Sequence, residues 1–193
     1  MPKPAQQDAP MILCHDSQEV YANRWMRVRE DAVEFPGGAR GIYGVVEKPD
    51  FVAIVPVDTA GRVHLVQQYR YPVQGRYWEI PQGSWEGSPG VDPEKIALAE
   101  LREETGLRAG HLTRVGHLFA AYGFSNQGYH LYVATDLEQG EAEREPTESD
   151  MISQGFTVEQ IRRMIAEGQI KDATTIAAFG YLLLVTDFAS VFG

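Results

Sequence analysis

The sequence predicts a mixed α/β (α+β) fold, with α/β/α layers around a mixed sheet and a small antiparallel strand subdomain at the N-terminus. Three observations carry this. Segments rich in β-branched residues at 51–57 and 63–69 flank the turn Asp58-Thr59-Ala60-Gly61-Arg62. Asp92-Pro93 and Gly106 frame one helix, and Thr157 with Gln160 and then Gly168 frames another. Strands interleaved with capped helices bury their apolar faces best as layers.

In chain order, residues 1–10 are rich in Pro, Gln and Ala without a period and read as a flexible leader. Residues 11–46 are assigned to the strand subdomain, because from 20 to 46 apolar residues fall in short runs broken by Pro36-Gly37-Gly38. The main domain then spans 47–193. Its first two strands, 51–57 and 63–69, are expected to pair as a hairpin. Residues 78–80 end at Pro81, before a loop holding Gly83, Gly87 and Gly90. Asp92 can accept from free backbone N–H groups at a helix start, and Pro93 loses no donor at the first helical position. Strands are expected around 113–121 and 129–135, followed by an acidic loop at 138–150. Thr157 and Gln160 form a capping-box pattern before the apolar stripe Ile161, Met164 and Ile165, and Asp172 opens a last helix running into Leu184.

The length, 193 residues, suits one domain with a small appendage, and 44% hydrophobic with 23% charged residues is an ordinary globular composition. A formal net charge of -10 opposes binding to nucleic acid or to an anionic membrane, both of which need clustered Lys and Arg. The expected partner is a small molecule. The lone Cys14 rules out an intrachain disulfide and a four-cysteine zinc site, and fits a cytoplasmic location. No signal-peptide pattern opens the chain, and no apolar run approaches the roughly 20 residues that span a bilayer.

The stretch that carries chemistry is Ala99-Glu100-Leu101-Arg102-Glu103-Glu104-Thr105-Gly106-Leu107. Glu100, Glu103 and Glu104 are spaced i, i+3, i+4, which on a helix puts three carboxylates on one face. Such charges repel one another unless a cation sits among them, and oxygen ligands alone select Mg²⁺, or else Mn²⁺, over zinc. Taken alone, three glutamates fit a solvated acidic face at least as well. The glycines at 83, 87 and 90 are followed by no Gly-Lys-Ser/Thr, so they form no P-loop. The five histidines, His15, His64, His111, His117 and His130, never fall in an H-E-x-x-H pattern and read as individually hydrogen-bonded side chains.

With Glu79-Ile80-Pro81-Gln82-Gly83 ahead of it, the stretch from Glu100 to Leu107 resembles the signature of the Nudix hydrolases. Two positions depart from that signature: its first Glu falls on Val91 and its Arg on Ala99, and the loop from Gly83 is two residues longer. The wider resemblance is to the ADP-ribose pyrophosphatase branch. It rests on Gln67-Gln68-Tyr69-Arg70, Gly123-Phe124-Ser125-Asn126, Glu148-Ser149-Asp150 and Gly168-Gln169-Ile170-Lys171-Asp172-Ala173 in that order around the box.

What the resemblance implies is specific. Glu100 and Glu104 would be the main Mg²⁺ ligands, with Glu103 direct or through water and the backbone carbonyl of Gln82 as a further ligand. The catalytic carboxylate would be Glu148, with Asp150 or Glu145 in reserve and Glu103 assisting. Arg70, whose guanidinium suits phosphate oxygens, would face the substrate with Gln68 and Glu79. The expected activity is Mg²⁺-dependent cleavage of a nucleoside diphosphate derivative, ADP-ribose first, by a homodimer joined through its N-terminal strands. The alternatives are hydrolysis of another nucleotide sugar or dinucleotide, or a non-catalytic binding module, which Val91 and Ala99 favour.

Overall fold

The computed structural model describes residues 11–84, 90–144 and 150–185. It divides into two compact units, one of the chain up to Pro49 with Ala121–Gln127, the other of Asp50–Ala120 and the chain from Gly128 onward. The sequence-predicted leader at 1–10 lies outside the described residues.

The first unit is an antiparallel sheet of β1 (Leu13–Ala22), β2 (Arg27–Glu34) and β3 (Arg40–Glu47), in that order. The turn from β2 to β3 uses Gly37 and Gly38 at φ 92° and 86°, a backbone that L side chains rarely adopt. β1 begins well before residue 20, where apolar runs first mark strands. All ten of its residues are exposed, so it shows no one-sided burial pattern. The segment at 121–127 joins this unit: Val46 N–H donates to the Phe124 carbonyl at 2.8 Å, and the Tyr43 hydroxyl donates to the Gly123 carbonyl at 2.9 Å.

The second unit is the layered one. Its central sheet runs β7 (Gln82–Gly83), β4 (Phe51–Pro56), β9 (Gly128–Gln139) and β8 (Leu107–Phe119), with β4 and β9 parallel and the other pairs antiparallel. Side-chain alternation gives β4 and β9 two buried faces. Val52 and Ile54 of β4 with Tyr132 and Ala134 of β9 pack under α1 (Pro93–Thr105), against Ala97 and Leu101. The opposite residues, Ala53, Val55, Leu131 and Val133, meet the second sheet and the helices α2 (Val158–Ala166) and α3 (Ala173–Val185). That second sheet is β10 (Ile152–Phe156), β5 (Val63–Arg70) and β6 (Gly75–Glu79). Among the described residues no helix is long and apolar enough to cross a membrane.

One expectation needs correction. β4 and β5 are not a full hairpin: they bridge only at Val57 and Val63, then enter different sheets. β4 is buried along nearly its whole length and fills both edges with β7 and β9, leaving none for β5. β10 is a strand that the sequence analysis did not assign; its Ile-Ser-Gln-Gly-Phe buries only Phe156.

The caps form where the sequence puts them. The Asp92 carboxylate accepts from Glu94 N–H at 3.0 Å, and Gly106 ends α1 in a left-handed conformation at φ 76°. Thr157 and Gln160 bond reciprocally at the start of α2. Asp58 organises the 58–62 turn, accepting from Ala60 N–H at 2.9 Å, Arg62 N–H at 3.0 Å and the Arg62 guanidinium at 2.9 Å.

Two predictions follow from burial and charge here. Leu101 is fully buried whereas Leu98, on the same helix, is 40% exposed. Leu101→Ala should therefore cost about 2–5 kcal/mol in denaturant unfolding, and Leu98→Ala no more than about 0.5 kcal/mol; equal losses would contradict the packing described. Burial opposes ionisation of Asp58, yet the Arg62 N–H, the His64 ring and the Arg62 guanidinium outweigh it and hold the carboxyl below its ordinary 3.8. A carboxyl lowered in the native state stabilises fully above its unfolded pKa and loses that contribution as pH falls through the native value. Asp58→Asn should lower stability at neutral pH and flatten its fall on acidification below about pH 4. Parallel stability curves for variant and parent would refute this role.

Candidate active site

The site is set by where α1 ends. Ala97 and Leu101 lie in the core under the helix, which directs Glu104, three residues past Leu101, inward as well. Glu104 is only 1% exposed. Its carboxylate accepts from the Gln82 backbone N–H at 3.2 Å, tying the helix to β7. One turn earlier the Glu100 carboxylate lies against Gly83, so close that a Cβ there would collide with it. Glu103 is half-buried, with the Arg102 guanidinium 3.7 Å from its Oε1.

The end of the helix is fastened from the other side. Gly140 N–H donates to the Gly106 carbonyl at 2.9 Å, and Arg144 Nε donates to the Glu104 carbonyl at 3.2 Å. A Cβ at Gly106 would stand 2.6 Å from the Gly140 carbonyl oxygen, so this close approach, as well as the positive φ, calls for glycine.

Beside β7 opens a cleft of about 450 Å³, lined by Arg70, Pro72, Val73, Tyr77, Glu79, Gln82, Lys171, Asp172 and Ala173. That volume is within the usual range for a small-molecule site. On its wall Arg70 grips Glu79 with two bonds, Nε to Oε2 at 3.2 Å and Nη2 to Oε1. Gln68 Nε2 adds a bond to Glu79 Oε1 at 2.9 Å. Burial pushes the Glu79 carboxyl above its ordinary value, Asp172 adds to this, and Arg70 and Gln68 offset only part. Burial also works against the Arg70 charge, but Glu79, then Glu104 and Asp172, raise its pKa. Asp172 holds the opposite wall: it accepts from Thr175 N–H and from the Thr175 hydroxyl, both at 2.7 Å, and the same hydroxyl accepts from Ile80 N–H at 3.0 Å. With Trp78 N–H donating to the Gln169 carbonyl at 3.0 Å, the 169–172 turn is thus fastened to the residues on either side of Glu79.

Of the sequence-selected residues, Glu100, Glu104 and Gln82 meet at the junction of α1 and β7, and Arg70, Gln68 and Glu79 form one bonded trio on the neighbouring cleft wall. Glu148 and Glu145 lie outside the described residues. The residues flanking that segment are anchored, Arg144 on the Glu104 carbonyl and Asp150 in an ion pair with Arg76. Trp78 is core, edge-on to Phe156 with ring centroids 4.8 Å apart. Two features escaped the sequence reading: the fastening of Ile80, just past β6, by Asp172 and Thr175, and a grouping of Asp50, His117 and His130. Neither has a local signal, because each depends on residues brought together from separate strands or turns.

Residues 47–179 match the family model of the NUDIX domain. The chain is a Nudix hydrolase. Ahead of that domain, residues 13–46 match the nucleoside diphosphate sugar hydrolase N-terminal domain. This Nudix chain is 30% identical over 168 residues to the ADP-ribose pyrophosphatase of Bacillus subtilis (strain 168), covering 86% of this chain and 90% of the relative. It is 35% identical over 162 residues to the ADP-ribose pyrophosphatase of Mycobacterium tuberculosis, covering 83% and 78%. A methanol dehydrogenase activator of Bacillus methanolicus is 30% identical over 169 residues, covering 87% and 90%. Among solved structures, an ADP compounds hydrolase shares the fold with a TM-score of 0.78 at 20% identity, over 92% of this chain and 95% of that one.

Nudix pyrophosphohydrolases generally need a divalent metal ion, and the residues at the junction of α1 and β7 fit one. They offer hard oxygen donors, and the missing Cβ at Gly83 makes room for the Glu100 carboxylate. Gly83→Ala should displace that carboxylate and weaken Mn²⁺ binding, followed by electron paramagnetic resonance, by about 10–100-fold. Unchanged Mn²⁺ affinity would show that the position of Glu100 beside β7 does not matter to the cation.

Proposed function

We propose that this Nudix enzyme hydrolyses ADP-ribose to AMP and ribose 5-phosphate with Mg²⁺. The observation that carries the reading is the pair of carboxylates, Glu100 and Glu104, seated on the Gln82–Gly83 backbone beside a cleft with Arg70 on its wall. The similarity to two ADP-ribose pyrophosphatases over most of the chain supports the choice of substrate.

Glu100, Glu104 and Glu103, with the Gln82 carbonyl, would hold the cation. Bound there, Mg²⁺ supplies charge neutralisation on the diphosphate oxygens and a means of orienting water. The protein's own residues do the rest. Arg70 is held by Glu79 and Gln68 in one orientation, with its Nε and Nη2 engaged, and offers its outer edge to a phosphate oxygen. Glu79 therefore acts on substrate through Arg70. Glu148 takes the proton of the attacking water, with Asp150 second in line, since its carboxylate is engaged by Arg76. The N-terminal strands join two copies into a homodimer: Leu13, Val20, Tyr21, Trp25 and Ile42 are exposed apolar side chains on or beside them that a second copy would cover.

The decisive experiment is a phosphate-release screen over nucleoside diphosphate derivatives, with a phosphatase added to free phosphate from monoester products, in Mg²⁺ and then in chelator. ADP-ribose is expected to lead, with all turnover lost in chelator. A nucleotide sugar or dinucleotide leading would move the substrate assignment, and no turnover on any compound would favour a binding module. Glu104→Gln should lower kcat by at least about 100-fold, while its melting temperature without metal holds or rises slightly as repulsion within the helix is relieved. Undiminished turnover in that variant would remove Glu104 from the site. Sedimentation at micromolar concentration should give a dimer, and a monomer there would defeat the assembly proposed.

A further inference from the structure

Away from the α1 and β7 junction, three strands of the central sheet bring a second donor set together. His117 on β8 and His130 on β9 are directly paired across the antiparallel ladder, and Asp50 immediately precedes β4, which runs parallel to β9 from the Phe51 and Tyr129 pair onward. One ligand atom of each residue lies within 4.8 Å of the others. Asp50 Oδ2 is 2.8 Å from His117 Nε2 and 3.8 Å from His130 Nε2. Its other oxygen, Oδ1, accepts from Gly128 N–H at 2.8 Å, which fixes the direction in which Oδ2 points.

We propose that Asp50, His117 and His130 form a second cation site, selective for a zinc-class divalent transition ion and distinct from the all-oxygen site on α1. Two imidazole nitrogens with one carboxylate oxygen are a borderline-soft set that suits Zn²⁺, Co²⁺ or Ni²⁺ and is poor for Mg²⁺. Metal–nitrogen bonds of about 2.0–2.1 Å put ligand atoms on one ion roughly 3–3.5 Å apart, so the existing spacings need only small side-chain adjustments. The set is open to solvent: the Asp50, His117 and His130 side chains are 41%, 32% and 18% exposed, which leaves room for water as a remaining ligand.

Two neighbours shape the site. Gly128 is one, because a Cβ there would come within 2.5 Å of His117 Nε2 and displace the ring. Arg114 is the other, and it opposes loading. Its Nη2 is 2.9 Å from His130 Nδ1, and a guanidinium can only donate, so Nδ1 accepts and the neutral ring carries its proton on Nε2. A cation at Nε2 requires that proton to move to Nδ1 and the Arg114 bond to break. Burial, then Arg114 and His117, hold His130 below its ordinary pKa. An ion here would cross-link β8, β9 and the start of β4, stabilising the folded form by mass action.

The test is a Co²⁺ titration of the chelator-stripped full chain, read by visible absorption and by melting temperature, with Zn²⁺ as competitor. The expected result is one saturable Co²⁺ site with visible bands, displaced by Zn²⁺ and retained in a Glu100→Gln/Glu104→Gln protein. Affinity should fall about tenfold or more in His130→Gln and in Asp50→Asn, with far-ultraviolet circular dichroism confirming that each is folded. Arg114→Leu should bind Co²⁺ more tightly than the parent, a gain that no loss of folding can mimic. Bands that vanish in the Glu100→Gln/Glu104→Gln protein, an absence of bands in the parent, or an Arg114→Leu affinity no tighter than the parent's would each overturn the site.

Discussion

A carboxylate almost wholly withdrawn from water is the constraint around which the second unit is arranged. Ionised Glu104 inside a packed layer is costly unless hydrogen bonds or a cation compensate it. The Gln82 N–H supplies one bond, and it does so only because α1 is pinned by Ala97 and Leu101 to the face of β4 and β9 while β7 pairs with the edge of β4. Packing on one face of the sheet therefore decides the geometry of the charge cluster at its edge. The same logic explains the fastening of the helix terminus by Gly140 and Arg144: a frayed last turn would carry Glu104 with it.

The cleft wall is built on a similar principle. Arg70 and Glu79 are both partly or wholly removed from water, and each is tolerable because the other is there, with Gln68 closing the set. A guanidinium held by two bonds has little rotamer freedom left to lose, which favours orientation over reach. The 169–172 turn acts from behind, since Asp172, Thr175 and the Gln169 carbonyl hold the backbone of residues 78 and 80 on either side of Glu79.

Much of this was legible in the sequence where a signal is local. The caps at Asp92, Gly106 and Thr157 are chemical requirements of helix ends, and the spacing of Glu100, Glu103 and Glu104 is a requirement of helical periodicity. The two departures from the family signature, Val91 and Ala99, are half-buried where they stand and do not prevent α1 from forming. What the sequence hid was pairing. Proximity along the chain suggested that β4 and β5 were a hairpin, whereas β4 takes β9 and β7 as its neighbours across long loops. β1 was hidden because a strand with every residue exposed has no alternation to read. His117 and His130 were read singly, and only the β8 and β9 register places them opposite each other with Asp50 alongside.

Two donor sets of different hardness thus lie in one unit, carboxylates on a helix and two imidazoles with one carboxylate on a sheet, and the hydrolysis proposed belongs to the first. ³¹P NMR of the protein with ADP-ribose and Mg²⁺ tests it most directly, because bond cleavage at the diphosphate is seen without coupling enzymes. The expected result is loss of the two diphosphate resonances, appearance of two phosphomonoester resonances in equal amounts, and arrest on addition of chelator. Diphosphate resonances that persist unchanged at stoichiometric enzyme, or cleavage that proceeds at the same rate in chelator, would contradict it.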